Sequence, residues 1–198
     1  MARKSAVRGT LTSRAQVSAL ASPIRQEIVD TLENLGGMAA VAQIAEQLGR
    51  PADGLYFHLR RLVRSGVLEE LPDEGNGRTY RTIAAPGHLL TLSYRDGAKR
   101  DFIGLTRVVG SLLRMAKRDF AAALRRPDTV VEGKRRELWA ARSKGWVTVE
   151  ELAEINRLLA RLNEVMHRPR TAQRNQLMSL AYVLAPVAIR PLRRDSRF

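Results

Sequence analysis

Apolar positions recur at helical spacing from about Ala15, with Val17, Leu20 and Ala21 first. Ser22-Pro23 then reads as a new helix start, the serine as a cap for free amides and the proline as a residue tolerated at the first helical position. Ile24, Ile28, Val29, Leu32 and Leu35 continue the period until Gly36-Gly37 stops it. A short third segment carries Val41, Ile44, Ala45 and Leu48. After the turn Gly49-Arg50-Pro51 comes a fourth helix over 53–64.

The period then changes. VLEEL (67–71) and TYRTIA (79–84) are strand-like, and the turn-rich PDEGNGR between them predicts a β-hairpin. Helices followed by such a hairpin make a winged helix-turn-helix. LLTLSY (89–94) adds a candidate strand. From about Gly97 to Arg126 a long helix is expected, with Phe102, Leu105, Val109, Leu112, Leu113, Ala116, Phe120 and Leu124 on one face. Arg107, Arg114, Lys117, Arg118 and Arg125 lie on the other. That stripe suits packing against a second copy, or a helix folded back on its own chain. RELWAARSKGWV (136–147) reads as a strand with a turn near Lys144-Gly145. Thr148 to Glu151 is a capping box, opening a helix with Leu152, Ile155, Leu159, Leu162 and Met166 on one face. QLMSLAYVLAPV (176–187) reads as a final buried strand, pairing with 136–147 or with its copy.

The expected fold class is α+β, in four parts. A basic flexible arm spans 1–14, although its composition also suits a transit peptide. A winged helix-turn-helix spans 15–95, a long amphipathic linking or dimerisation helix 96–126, and a small C-terminal α+β domain with a basic tail 127–198.

The fourth helix carries the most specific chemistry. At 100° per residue, Leu55, Leu59 and Leu62 share one side with Val63 at its edge. Asp53, Phe57, Arg60, Arg61 and Arg64 share the other, flanked by Tyr56 and His58. One face docks on the preceding helices, and the other fits the major groove of DNA. Arginine there can pair with guanine O6 and N7, or simply neutralise phosphate. Tyr56, Phe57 and Arg60, nearer the helix start, are expected at bases, and Arg61 and Arg64 at backbone. Arg50 in the preceding turn belongs to the same set. Asn76, Arg78 and Arg81 of the hairpin are expected near the minor groove or flanking phosphates, with Asp73 and Glu74 opposing a deep approach. The plainer alternative is a surface helix whose arginines pair with Glu46, Glu69 or Glu70.

Charge favours the first reading. The chain of 198 residues has a formal charge of +14 and a pI near 11.3, which points to an anionic partner. Its first acid is Glu27. With 44% apolar residues it can build a core, and no apolar run approaches the roughly 18 residues of a membrane span. A cytoplasmic protein without a membrane partner is expected.

The run LASPIRQEIVDTLENLGGMAAVAQIAEQLGRPADGLYFHLRRLVRSGVLEEL resembles the ArsR-type winged helix-turn-helix repressors over roughly residues 16 to 84. The resemblance rests on LASPIRQEIV, IAEQLG and LYFHLRRLVRSGVL in that order. More loosely, ELWAARSKGWVTVEELAEINRLLARL is similar to the C-terminal half of bacterial regulators of this group. The resemblance implies a homodimer that binds a near-palindromic operator in double-stranded DNA and changes its grip on a signal. Founding members of that family sense metals through cysteine thiolates, and this chain has no cysteine.

No cofactor or metal is therefore expected. Glu164 with His167 is one conceivable ligand pair, against a plain helix-end histidine. His58 is read as a packing or phosphate-contacting residue. Trp139, Trp146, Tyr182 and Met178 are candidate lining for a small-molecule effector pocket, or simply core. A glycine-rich phosphate loop, G-x-S-x-G and H-E-x-x-H are all missing from the sequence, so no enzyme is expected. The rival to specific regulation is sequence-neutral binding to DNA or RNA through basic segments.

Overall fold

A computed structural model describes residues 9–72, 77–84, 90–94, 101–168 and 170–188. The first half is built on four helices: α1 (Arg14–Leu20), α2 (Pro23–Asn34), α3 (Val41–Leu48) and α4 (Asp53–Arg64). Strands β2 (Met38–Ala40), β3 (Leu68–Leu71) and β4 (Thr79–Thr82) form an antiparallel sheet in the order β2-β4-β3. Ala39 pairs with Tyr80, and Glu69 with Arg81. The core gathers Leu11, Val17, Ile28, Leu32, Ile44, Leu55, Leu59, Leu62, Val67 and Tyr80. Apart from Leu11, these are the apolar positions that the helical period and the strand-like runs put inward.

Two local features differ from the expectations. Residues 9–14, assigned to a flexible arm, belong to the fold: β1 (Thr10–Leu11) pairs in parallel with β5 (Thr91–Leu92), and Leu11 is buried. Ser22 takes the N-cap position of α2, but its side chain accepts no cap hydrogen bond. A capping box forms one helix earlier, at the start of α1: Ser13 Oγ accepts from Gln16 N at 3.2 Å while Gln16 Oε1 accepts from Ser13 N at 3.1 Å. The strand expected near 89–94 forms as β5, outside the wing sheet.

The long helix is α5 (Phe102–Leu124). Asp101 caps it through Gly104 N at 3.1 Å. A Cβ at Gly104 would lie 2.3 Å from Asp101 Oδ2, so a side chain there would push the capping carboxylate aside. α5 folds back on α1 and α2 through its small residues Gly104, Val108 and Ser111. Gln26 Nε2 ties α5 down by donating to Val108 O at 3.2 Å. The larger expected stripe is left half-buried at Leu105, Val109, Leu112, Ala116 and Phe120, and exposed at Phe102, Leu113 and Leu124.

Beyond α5 the described residues hold one helix, α6 (Val149–Met166), with the expected Thr148–Glu151 capping box. They hold no strand, so the β part expected in the C-terminal α+β unit over 127–198 does not form among them. Residues 136–147 and 176–187 run without regular structure and with nearly every side chain exposed. A strand forms only where a second edge accepts its backbone bonds, and among the described residues of these two segments only Arg136 N and Glu137 N, at the start of the first, donate to other backbone. Among the described residues, Val108 is the one buried apolar residue beyond Tyr80.

Candidate nucleic-acid interface

α3, the turn and α4 set the basic face. Gly49 closes α3 in the left-handed conformation, φ 60°, which glycine adopts without strain. Arg50 N donates to Ala45 O at 3.0 Å, and Pro51 begins the turn into α4. Leu55, Leu59 and Leu62 are fully buried, which fixes the rotation of the helix. Asp53, Phe57, Arg60, Arg61 and Arg64 are consequently exposed, Phe57 at 65%. Asp53 stands in the first turn and Arg61 and Arg64 in the last, each where the helix dipole favours its charge.

Two of the three carboxylates named as possible partners for these arginines, Glu69 and Glu70, are engaged elsewhere, and Glu46 forms no ion pair with them among the described residues. Arg81 Nη2 lies 2.8 Å from Glu69 and Arg78 Nη1 3.6 Å from Glu70, both across the β3–β4 ladder. Arg50 reaches Glu27 at 3.8 Å. Among the described residues, Arg60, Arg61 and Arg64 make no ion pair. Arg78 also lies over the Tyr56 ring, 5.6 Å from its centroid, so the half-buried Tyr56 links α4 to the root of the hairpin. Asn76, with Asp73 and Glu74, lies outside the described residues.

Arg25, not singled out in the sequence, stands near this face with its guanidinium donating to Ala19 O and, at 3.4 Å, to Ser18 O. Burial, and then the charge of Arg61, lower its pKa, so the two cations share one region. Arg25 stands on α2, and only the packing of α2 on α4 brings it there; no local pattern signals it. His58 packs edge-on to Phe57 at 5.4 Å. Burial, then Arg25 and Arg50, hold its pKa below the ordinary value, so the imidazole is neutral at pH 7.

The other candidate sites are not assembled. Glu164 pairs with Arg161 at 2.8 Å, while His167 lies against Asn163 O and 3.8 Å from Glu33. Among the described residues no group of three or more metal-ligating side chains converges. The expected pocket does not close: Trp139, Trp146 and Tyr182 are exposed. Only Met178 lines a cleft, of about 410 Å³, with Val130, Arg135, Arg136, Glu137 and Gln176. No described helix is long and apolar enough to cross a membrane.

Two helices joined by a tight turn, the second exposing a basic face and leading into a β-hairpin, define a helix-turn-helix protein. Residues 20–70 match the family model described as a helix-turn-helix domain. The match runs from the end of α1 into β3 and supports a DNA-binding regulator. No curated protein matches the chain.

Proposed function

We propose that the protein is an ArsR-like transcriptional regulator that binds a near-palindromic operator in double-stranded DNA as a homodimer. α4 enters the major groove, and the large apolar stripe of α5 meets its copy to set the half-site spacing. One observation carries the reading: Arg60, Arg61 and Arg64 stand exposed on one helix face and, among the described residues, pair with no carboxylate. Phosphate and guanine edges supply the missing acceptors. Arg60, with Phe57, is placed at bases, and Arg61 and Arg64 at backbone. Tyr56, held by Arg78, orients the wing toward α4. Arg50, Arg78 and Arg81 flank the contact, and Asp53 sits where it can accept from cytosine N4.

Substituting Arg60 and Arg64 tests this division. R60A should relax base preference at one operator position by roughly 1–3 kcal/mol. R64A should weaken specific and random duplexes alike and lower the salt slope by about 1. Unchanged binding in both variants would move the interface off α4. Equal losses on operator and random duplex in both would favour the rival reading, sequence-neutral binding.

A further inference from the structure

Residues 139–147 and 177–187 combine an extended, apolar sequence with a bare backbone. Among the described residues, their backbone N–H and C=O groups make no hydrogen bond to other backbone. They expose Trp139, Trp146, Val147, Leu177, Leu180, Val183, Leu184 and Val187, with Trp146 at 88%. The second segment is nevertheless held in place by its side chains. Ser179 Oγ donates to Asp119 Oδ2 on α5 at 2.9 Å, and Asn163 Nδ2 on α6 donates to Tyr182 OH at 2.7 Å. Gln176 bonds Glu137 where the two segments begin, and the 410 Å³ cleft opens at that point. The segment is held by side chains while its backbone stays unpaired, a ready template for strand pairing with another chain.

We infer that these segments pair with the same segments of a second copy, forming an intermolecular sheet that completes the C-terminal unit. The claim deepens the proposed function, on whose homodimer it rests, by naming where the copies join beyond α5. Two features favour a second copy over a foreign partner. Residues 177–187 carry no charge at all, and 139–147 only Arg142 and Lys144, so no charged partner is favoured. The exposed large apolar side chains of 139–187 amount to on the order of 1,500 Å² per copy, above the roughly 800 Å² per partner of a standard interface.

The chain has no native cysteine, so single substitutions report on contacts between copies. L180C and V183C are prepared in the full chain, with R142C in the first segment and the exposed R107C on α5 as a comparison. Each is oxidised without DNA, and mass is measured by sedimentation at micromolar concentration. Expected are a dimer of the parent chain and covalent dimers from L180C, V183C and R142C in much higher yield than from R107C. Hydrogen exchange should show amides 177–187 protected at micromolar concentration and at least tenfold less protected on dilution into monomer. A monomeric parent chain overturns the inference. So does a dimer whose 177–187 amides exchange freely, or protection that ignores dilution, which would mean pairing within one chain. Protection within α2–α4 checks that each variant is folded. A monomeric parent chain removes the homodimer of the proposed function as well, whereas a dimer with freely exchanging 177–187 amides overturns this inference alone, and a failed operator with an intact dimer does the reverse.

Discussion

Arg60, Arg61 and Arg64 differ from Arg78 and Arg81 in what already neutralises them. Each wing arginine faces a glutamate across the β3–β4 ladder, whereas the α4 arginines have no such partner among the described residues. Neutralising a free cation with phosphate releases counterions, and rearranging an existing pair releases fewer. R81A should therefore lower the salt slope of duplex binding less than R64A does. Equal slopes from fluorescence anisotropy between 50 and 200 mM salt would show that Glu69 lets go of Arg81 on DNA. A second residue-scale prediction concerns Glu33. Its side chain is 8% exposed, and burial raises its pKa to about 7 although Leu90 N donates to it. The folded state then holds a proton that the unfolded state has lost between about pH 4.5 and 7, so Glu33 lowers stability as pH rises through that window and adds no slope above it. E33Q, which keeps an acceptor for Leu90, should be more stable than the parent at pH 8 by about 2–3 kcal/mol and equal to it near pH 4. Urea melts at the two pH values check this, and a constant difference would refute it.

The elements show which physical signals sequence carries. α2, α3 and α4 were legible because each buries one stripe against its neighbours, and Leu55, Leu59 and Leu62 alone fix the side of α4 that faces out. β1 and β2 were not, since two or three residues gain strand geometry only from a partner edge elsewhere in the chain. The Ser13–Gln16 box was present as S-x-x-Q but hidden by reading 1–14 as an arm. Ser22 shows the converse, a residue of capping type at a cap position without the bond. The engagement of Glu69 and Glu70 depends on strand register, which no local pattern states. Arg25 joins the site through tertiary packing alone. S13A should lower stability by about 1 kcal/mol in denaturant melts. It should also raise exchange at Gly66, because Gln16 Nε2 donates to Gly66 O at 3.0 Å and would lose its anchor. No change in either would mean that α1 is held by packing alone.

At the scale of the molecule, the two halves are unlike. Residues 11–80 enclose a core, while nearly all the large exposed apolar side chains lie beyond residue 100. The strand-like runs at 136–147 and 176–187 carry the residue types of buried strands, yet no described strand of one copy pairs with them. α5 connects the halves: Arg118 bonds Glu27, which Arg50 also approaches, so a contact on α5 and the turn before α4 share one carboxylate. E27Q should weaken both pairs and, on this account, change operator affinity more than it changes fold stability; anisotropy set beside urea melts separates the two effects.

The central claim is that α4 reads sequence. Fragments bound from a random duplex pool are enriched, and the winner is compared with random duplex by equilibrium titration at 150 mM salt. The account predicts a two-fold-related consensus bound by two chains, at least 10³-fold tighter than random duplex, with R60A narrowing that ratio. A ratio near one, steep in salt and untouched by R60A, would contradict it.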